Sequence, residues 1–232
     1  MLSTAFLLVT KSSPPLSSLN RSLNGNLELT LTISWSRVQK AYDSAVAEAV
    51  ASTQVPGFRK GKAPKDLVEP KLDRNHTLSH ALGHLLPEVY AAAVQEHDLK
   101  PLLNPQIKII SGKEGESWTF LASTCEAPKV ILPEKLKPLD KLVAETKVVI
   151  PDLLIEEEAN HRLAALAENI TSLGMTIEQY LTTKKLTAAE LKAKLAQEAK
   201  SDLSSEFILL EVQKSKKLAD RKATLEFLQK LV

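Results

Sequence analysis

The chain has 232 residues, 44% of them hydrophobic but only 4% aromatic, and a formal net charge of +2. That length allows two modest domains, and the near-balance of charge excludes bulk electrostatic binding of nucleic acid. Residues 1–127 carry 13 Lys/Arg against 12 Asp/Glu, and residues 128–232 carry 17 against 16, so charge recognition must be local.

In chain order, residues 3–10 hold the short apolar run Ala5, Phe6, Leu7, Leu8 and Val9. No Lys or Arg precedes it and it is too short for a signal-peptide core, so an opening strand is expected. Residues 12–26 read as a polar loop. From Leu27 the pattern alternates, with Leu27, Leu29, Leu31 and Ile33 on one face, which predicts a half-buried strand. Ser34 or Ser36 can cap the helix that follows, whose apolar stripe is Trp35, Val38, Tyr42, Ala45, Val46 and Ala49.

Residues 55–64, VPGFRKGKAP, interrupt that helix with two glycines bracketed by prolines. Such a segment must turn, and Pro64 suits the start of the next helix. Arg59, Lys60, Lys62 and Lys65 lie in a stretch with no acidic residue between Glu48 and Asp66. By composition alone this run reads as a solvated turn. A short helix over 65–72 and a longer one over 74–97 follow, the latter burying Leu78, Ala81, Leu82, Leu85, Val89 and Ala93. Residues 106–110 and 118–125, joined by a glycine-containing loop, predict a hairpin. The single cysteine, Cys125, falls in the second of these strands and excludes an intramolecular disulfide.

Prolines at 128, 133, 138 and 151 punctuate a lysine-rich stretch, expected as an extended linker over residues 128–150. Beyond it the pattern is helical: residues 152–170, then starts at Thr176 and Thr187, where a Gln and a Glu three positions on complete capping boxes. A helix over 188–218 and a last one over 221–231 end the chain. The expected fold is an α+β domain over residues 1–127, a four-stranded antiparallel sheet with helices on one side and a helix–loop–helix tip. An all-α domain over residues 151–232 follows it.

The segment Gly57-Phe58-Arg59-Lys60-Gly61-Lys62-Ala63-Pro64 resembles the ribosome-binding signature of trigger factor, the bacterial chaperone of the exit tunnel. The resemblance extends through residues 3–127 and, more weakly, through residues 147–218, which are similar to the family's helical C-terminal domain. It implies that Gly57, Phe58, Arg59, Lys60, Gly61, Lys62 and Pro64 bind the ribosome at the protein beside the tunnel exit, with adjacent rRNA as a further contact. It also implies that the helical domain cradles nascent or unfolded chains. The expected role is an ATP-independent chaperone of the cytoplasm, with no membrane partner; a homodimer is compatible with the sequence.

Physically, a glycine-framed tip lets Phe58 anchor in an apolar pocket while Arg59 and Lys60 meet carboxylates or phosphates. The bland reading returns Phe58 to the core. Family members usually carry an FK506-binding-type prolyl isomerase domain between the two parts, and the short linker here leaves no room for one, so no enzymatic activity is expected. Leu191, Leu195, Leu203, Phe207 and Leu210 form an apolar series that suits either client contact or a seam with the helix at 152–170. His76, His80 and His84 recur every four residues, a spacing at which imidazoles can share a metal. No neighbouring Cys or acidic residue in the sequence completes a site, so a polar helix flank is expected, with no cofactor and no metal. Two other functions remain open: a ribosome-independent holdase or assembly factor for protein complexes, and a structural RNA-binding protein.

Overall fold

A computed structural model describes residues 17–231 apart from 23, 55, 56, 60 and 63. The strand expected over 3–10 lies outside the described residues. Four strands form one antiparallel sheet: β1 (Ser17–Arg21), β2 (Asn26–Ile33), β3 (Gln106–Ser111) and β4 (Trp118–Cys125), in the order β1-β2-β4-β3. The two central strands are the two with a clear period of two. Leu27, Leu29, Leu31 and Ile33 of β2 are buried, as are Trp118, Phe120, Ala122 and Thr124 of β4. Alternation in the sequence is the trace of a sheet with one covered face.

One edge strand departs from the sequence reading, and the other forms as expected, in a hairpin with β4. Residues 17–21, expected within a polar loop, pair with β2 as β1. The sequence Ser-Ser-Leu-Asn-Arg has no apolar alternation, because an edge strand needs backbone partners on only one side and a weak side-chain pattern suffices. At the other edge, Ile109 and Ile110 of β3 are exposed.

Eight α-helices are present among the described residues. α1 (Trp35–Ser52), α2 (Lys65–Val68) and α3 (Arg74–Glu96) lie between β2 and β3, a short 3₁₀ turn at Glu69–Lys71 extending α2. α3 begins where Asp73 accepts hydrogen bonds from the N–H groups of Asn75 and His76, at 2.8 and 3.2 Å. It buries Thr77, Ala81, Leu82, Leu85, Val89 and Ala93, while Leu78 stays half-buried. α1 packs along α3.

α4 (Leu139–Glu145), α5 (Asp152–Ser172), α6 (Ile177–Lys184), α7 (Ala188–Lys216) and α8 (Arg221–Gln229) complete the chain. Both expected capping boxes form, with Gln179 N–H to Thr176 Oγ1 and Glu190 N–H to Thr187 Oγ1 each at 3.2 Å. Residues 128–150 are not simply extended. They contain α4, whose Leu142 is fully buried with Ile208, Leu209 and Val212 of α7 and Leu228 of α8; Val130, Leu132 and Val148 pack against that cluster. Prolines at 128, 133 and 138 break long helices but do not keep apolar side chains from packing.

The chain separates into two compact units. One comprises the described residues up to Asn20 with Leu29–Asp98 and Gln106–Ala122; the other comprises Arg21–Glu28, Leu99–Pro105 and Ser123–Val232. No helix among the described residues is long and apolar enough to cross a membrane.

Candidate functional site

The loop between α1 and α2 follows from a helix that runs out of helix-forming sequence. α1 stops at Thr53, whose backbone is extended and whose hydroxyl donates back to the Ala49 carbonyl at 2.6 Å. The Gly61 N–H donates to the Thr53 carbonyl at 3.3 Å and Lys62 N–H to the Arg59 carbonyl at 3.0 Å, so the loop is closed by its own backbone. Gly61 has a φ of +75°, and a Cβ there would sit 2.8 Å from the Ala51 carbonyl oxygen. Conformation and close approach both demand glycine. Gly57, at φ +88°, has no described residue within 4 Å of a Cβ position, and its conformation is what favours glycine.

Held this way, Phe58 is 40% exposed, and Gly57, Arg59, Lys62 and Pro64 are exposed. Gly61 is half-buried under the tip. Lys60 lies outside the described residues. The three described cations of the run, Arg59, Lys62 and Lys65, divide by role. Lys65 Nζ is bonded to Asp43 Oδ1 at 3.3 Å and lies 3.8 Å from Glu69, a pairing that staples α2 to α1. The Asp43 hydrogen bond is the largest influence on that ammonium, and with the nearby carboxylates it outweighs desolvation and holds the pKa above the ordinary lysine value. Among the described residues, Arg59 and Lys62 have no ion-pair partner. The arrangement is an exposed aromatic ring flanked by uncommitted cations on a turn fixed by backbone hydrogen bonds. It can present an anchor and two charges to a partner with little ordering cost.

A protein-family model described as bacterial trigger factor protein matches residues 18–162, which take in the sheet, α1 to α3 and this loop. The chain belongs to the trigger factor family. A second model, for the C-terminus of bacterial trigger factor, matches residues 134–227. Trigger factor of Staphylococcus saprophyticus is 34% identical over 150 residues, and that of Staphylococcus aureus strain JH9 is 32% identical over 150. Each alignment covers 65% of this chain and 34% of the relative, so the chain spans about a third of the length of the curated relatives it matches. A solved structure of a trigger factor chaperone aligns with a TM-score of 0.39 and 20% identity, covering 66% of this chain and 35% of that one.

The apolar series of the helical unit is split by packing. α7 lies along α5, where Arg162 bonds Glu158 at 2.7 Å and Asp202 at 2.8 Å. The two carboxylates, Glu158 first, raise the pKa of that guanidinium further. Leu191 is only 5% exposed and belongs to the helical packing. Leu191 and Leu195 share a half-open hollow of about 430 Å³ with Leu166, Tyr180 and Leu186. Leu203 and Phe207 are half-buried, Leu210 is 38% exposed, and none of these three lines the hollow. From Leu195 to Leu203 the rise along a helix is already about 12 Å.

The three histidines of α3 are exposed, as expected of a polar flank. The sequence reading found no acidic residue to join them, and the structure supplies one: Glu48 of α1 approaches His80 and His84. Those positions are more than thirty residues apart and meet only because α1 and α3 pack together, so no local spacing announces the group.

Proposed function

We propose that this chain is a ribosome-associated chaperone that docks beside the polypeptide exit tunnel through Gly57, Phe58, Arg59, Lys60, Gly61, Lys62 and Pro64 and shields emerging chains without ATP. The trigger factor family is a family of chaperones. The observation that carries the ribosome reading is the tip itself: a partly exposed Phe58 beside Arg59 and Lys62, which have no ion-pair partner among the described residues, on a turn whose position 61 favours glycine by conformation and by close approach. Rigid support for exposed apolar and cationic groups makes sense when a partner completes them.

Residues 1–127 take the docking role and residues 151–232 the client role, joined through residues 128–150. Clients meet the half-buried and exposed positions Leu195, Leu203, Phe207 and Leu210 through weak, dispersed apolar contacts, while Leu191 serves the packing between helices. Such contacts suit release without nucleotide hydrolysis. The two family matches overlap between residues 134 and 162, which supports a chain with no isomerase domain between its parts. The cytoplasm is the compartment that fits a ribosomal partner.

Cosedimentation with ribosomes tests the central claim. Replacing Phe58, Arg59 and Lys60 together by alanine should abolish cosedimentation while leaving helical content and melting temperature nearly unchanged, because the tip contributes little to the core. Single Phe58→Ala should lose affinity with a shallow salt slope, whereas binding through phosphates falls steeply with salt. A triple variant that binds as tightly as wild type refutes docking through this loop.

A further inference from the structure

The meeting of α1 and α3 brings together a group of side chains that the docking role does not use. Ala45 and Ala81 are buried, and they line the cleft between the helices together with Glu48 and His84. Small residues at such a crossing let two helices approach closely. His80 and His84, four residues apart, share a helix face, and their rings meet edge to face with centroids 4.8 Å apart. The Glu48 carboxylate lies 3.9 Å from His80 Nδ1. One ligand atom from each of the three residues falls within 4.8 Å of the other two.

We propose that Glu48, His80 and His84 form a three-ligand site for a divalent cation of the zinc(II), cobalt(II) or nickel(II) class, clamping α1 to α3 one turn before the docking loop. Two imidazoles and a carboxylate are the donors these borderline cations take, whereas magnesium and calcium select oxygen alone. A tetrahedral ion with bonds of about 2.0–2.1 Å holds its ligand atoms roughly 3.3–3.5 Å apart. The three side chains are exposed and free to rotate. They need to draw in by up to about 1.5 Å, a shift on the scale of χ rotation. Solvent provides the fourth ligand. Because the donors come from two helices, an ion seated here adds a bridge between packed elements whose chain connection runs through the loop and α2. By mass action it stabilises the packed pair.

Zinc(II) and cobalt(II) titrations of the full, tag-free chain test the site. The expected result is saturable binding of one ion, with the side-chain NMR signals of His80 and His84 shifted and those of His97 and His161 left in place. A rise in melting temperature should accompany it. His80→Ala and His84→Ala should each weaken binding by about tenfold or more, and Glu48→Gln by less. His76→Ala should change it by no more than about twofold, since a ligand set reaching the next turn back would be needed to involve that ring. All four variants alter exposed side chains, so their metal-free melting temperatures should match wild type. That match separates lost ligation from lost folding. The proposal is overturned by any of three results: no saturable binding of either ion, undiminished binding in the His80→Ala/His84→Ala double variant, or an equal loss in His76→Ala and His84→Ala.

Discussion

Replacing Gly61 by alanine probes whether the loop works in the conformation described here. The φ of +75° costs a residue with a Cβ roughly 1–2 kcal/mol. The new carbon would also sit 2.8 Å from the Ala51 carbonyl oxygen, a backbone atom of α1 that cannot swing aside. Together these put the strain at roughly 2–3 kcal/mol. Gly57→Ala is the matched control: its φ is +88° but no atom of the described residues lies within 4 Å, so only the roughly 1–2 kcal/mol of conformational cost applies. The loop is exposed, so either strain is relieved by local rearrangement, and the melting temperature should move by only a few degrees. If docking requires this loop conformation, the strain reappears as lost affinity. At about 1.4 kcal/mol per tenfold, Gly61→Ala should weaken ribosome binding roughly 30- to 150-fold and Gly57→Ala roughly 5- to 30-fold. Equilibrium cosedimentation over a ribosome titration reads both. Gly61→Ala binding as well as Gly57→Ala would refute the reasoning, since the close approach to Ala51 is what separates them.

Three further outcomes are expected. Leu142→Ala should destabilise the helical unit by about 3 kcal/mol and lower its melting temperature by roughly 10 °C, because Leu142 is fully buried among Ile208, Leu209 and Val212; a shift under about 3 °C would mean that residues 139–145 hang free of that core. Desolvation raises the pKa of Glu126, but the Lys100 N–H at 2.8 Å and Arg21 at 2.8 Å outweigh it and leave the carboxyl below its ordinary value. A carboxyl depressed in the folded state stabilises above its unfolded pKa and loses that contribution as pH falls through the folded one. Glu126→Gln should therefore cost under about 1 kcal/mol at pH 7, given how exposed the pair is, with the gap to wild type closing in chemical denaturation below about pH 4; a gap that persists in strong acid excludes the ionised carboxylate as its source. Finally, a proline-limited refolding assay at substoichiometric protein should show only the uncatalysed rate, and acceleration would overturn the reading of a chain without isomerase activity.

Much of this protein was legible in its sequence because the determining interactions are local. The period of two from Leu27 to Ile33 and from Trp118 to Thr124 marked the two central strands, since a strand covered on one face must alternate. Thr176 with Gln179 and Thr187 with Glu190 fixed two helix starts, because a capping box closes within four residues. The loop over residues 55–64 was visible for the same reason: glycine is chosen by a backbone angle, and a proline by the helix it begins. Other features depended on partners distant in the chain. β1 exists because β2 offers it a free edge, not because Ser17–Arg21 has strand character of its own. Residues 128–150 read as a linker by their prolines, yet Leu142 is buried by α7 and α8, more than sixty residues further on. Leu191 and Leu210 are equivalent leucines by composition, and only the packing of α7 makes one buried and the other exposed. Glu48 stands beside His80 and His84 solely because α1 and α3 pack together, so the sequence determined the histidine spacing and the tertiary structure alone supplied the carboxylate.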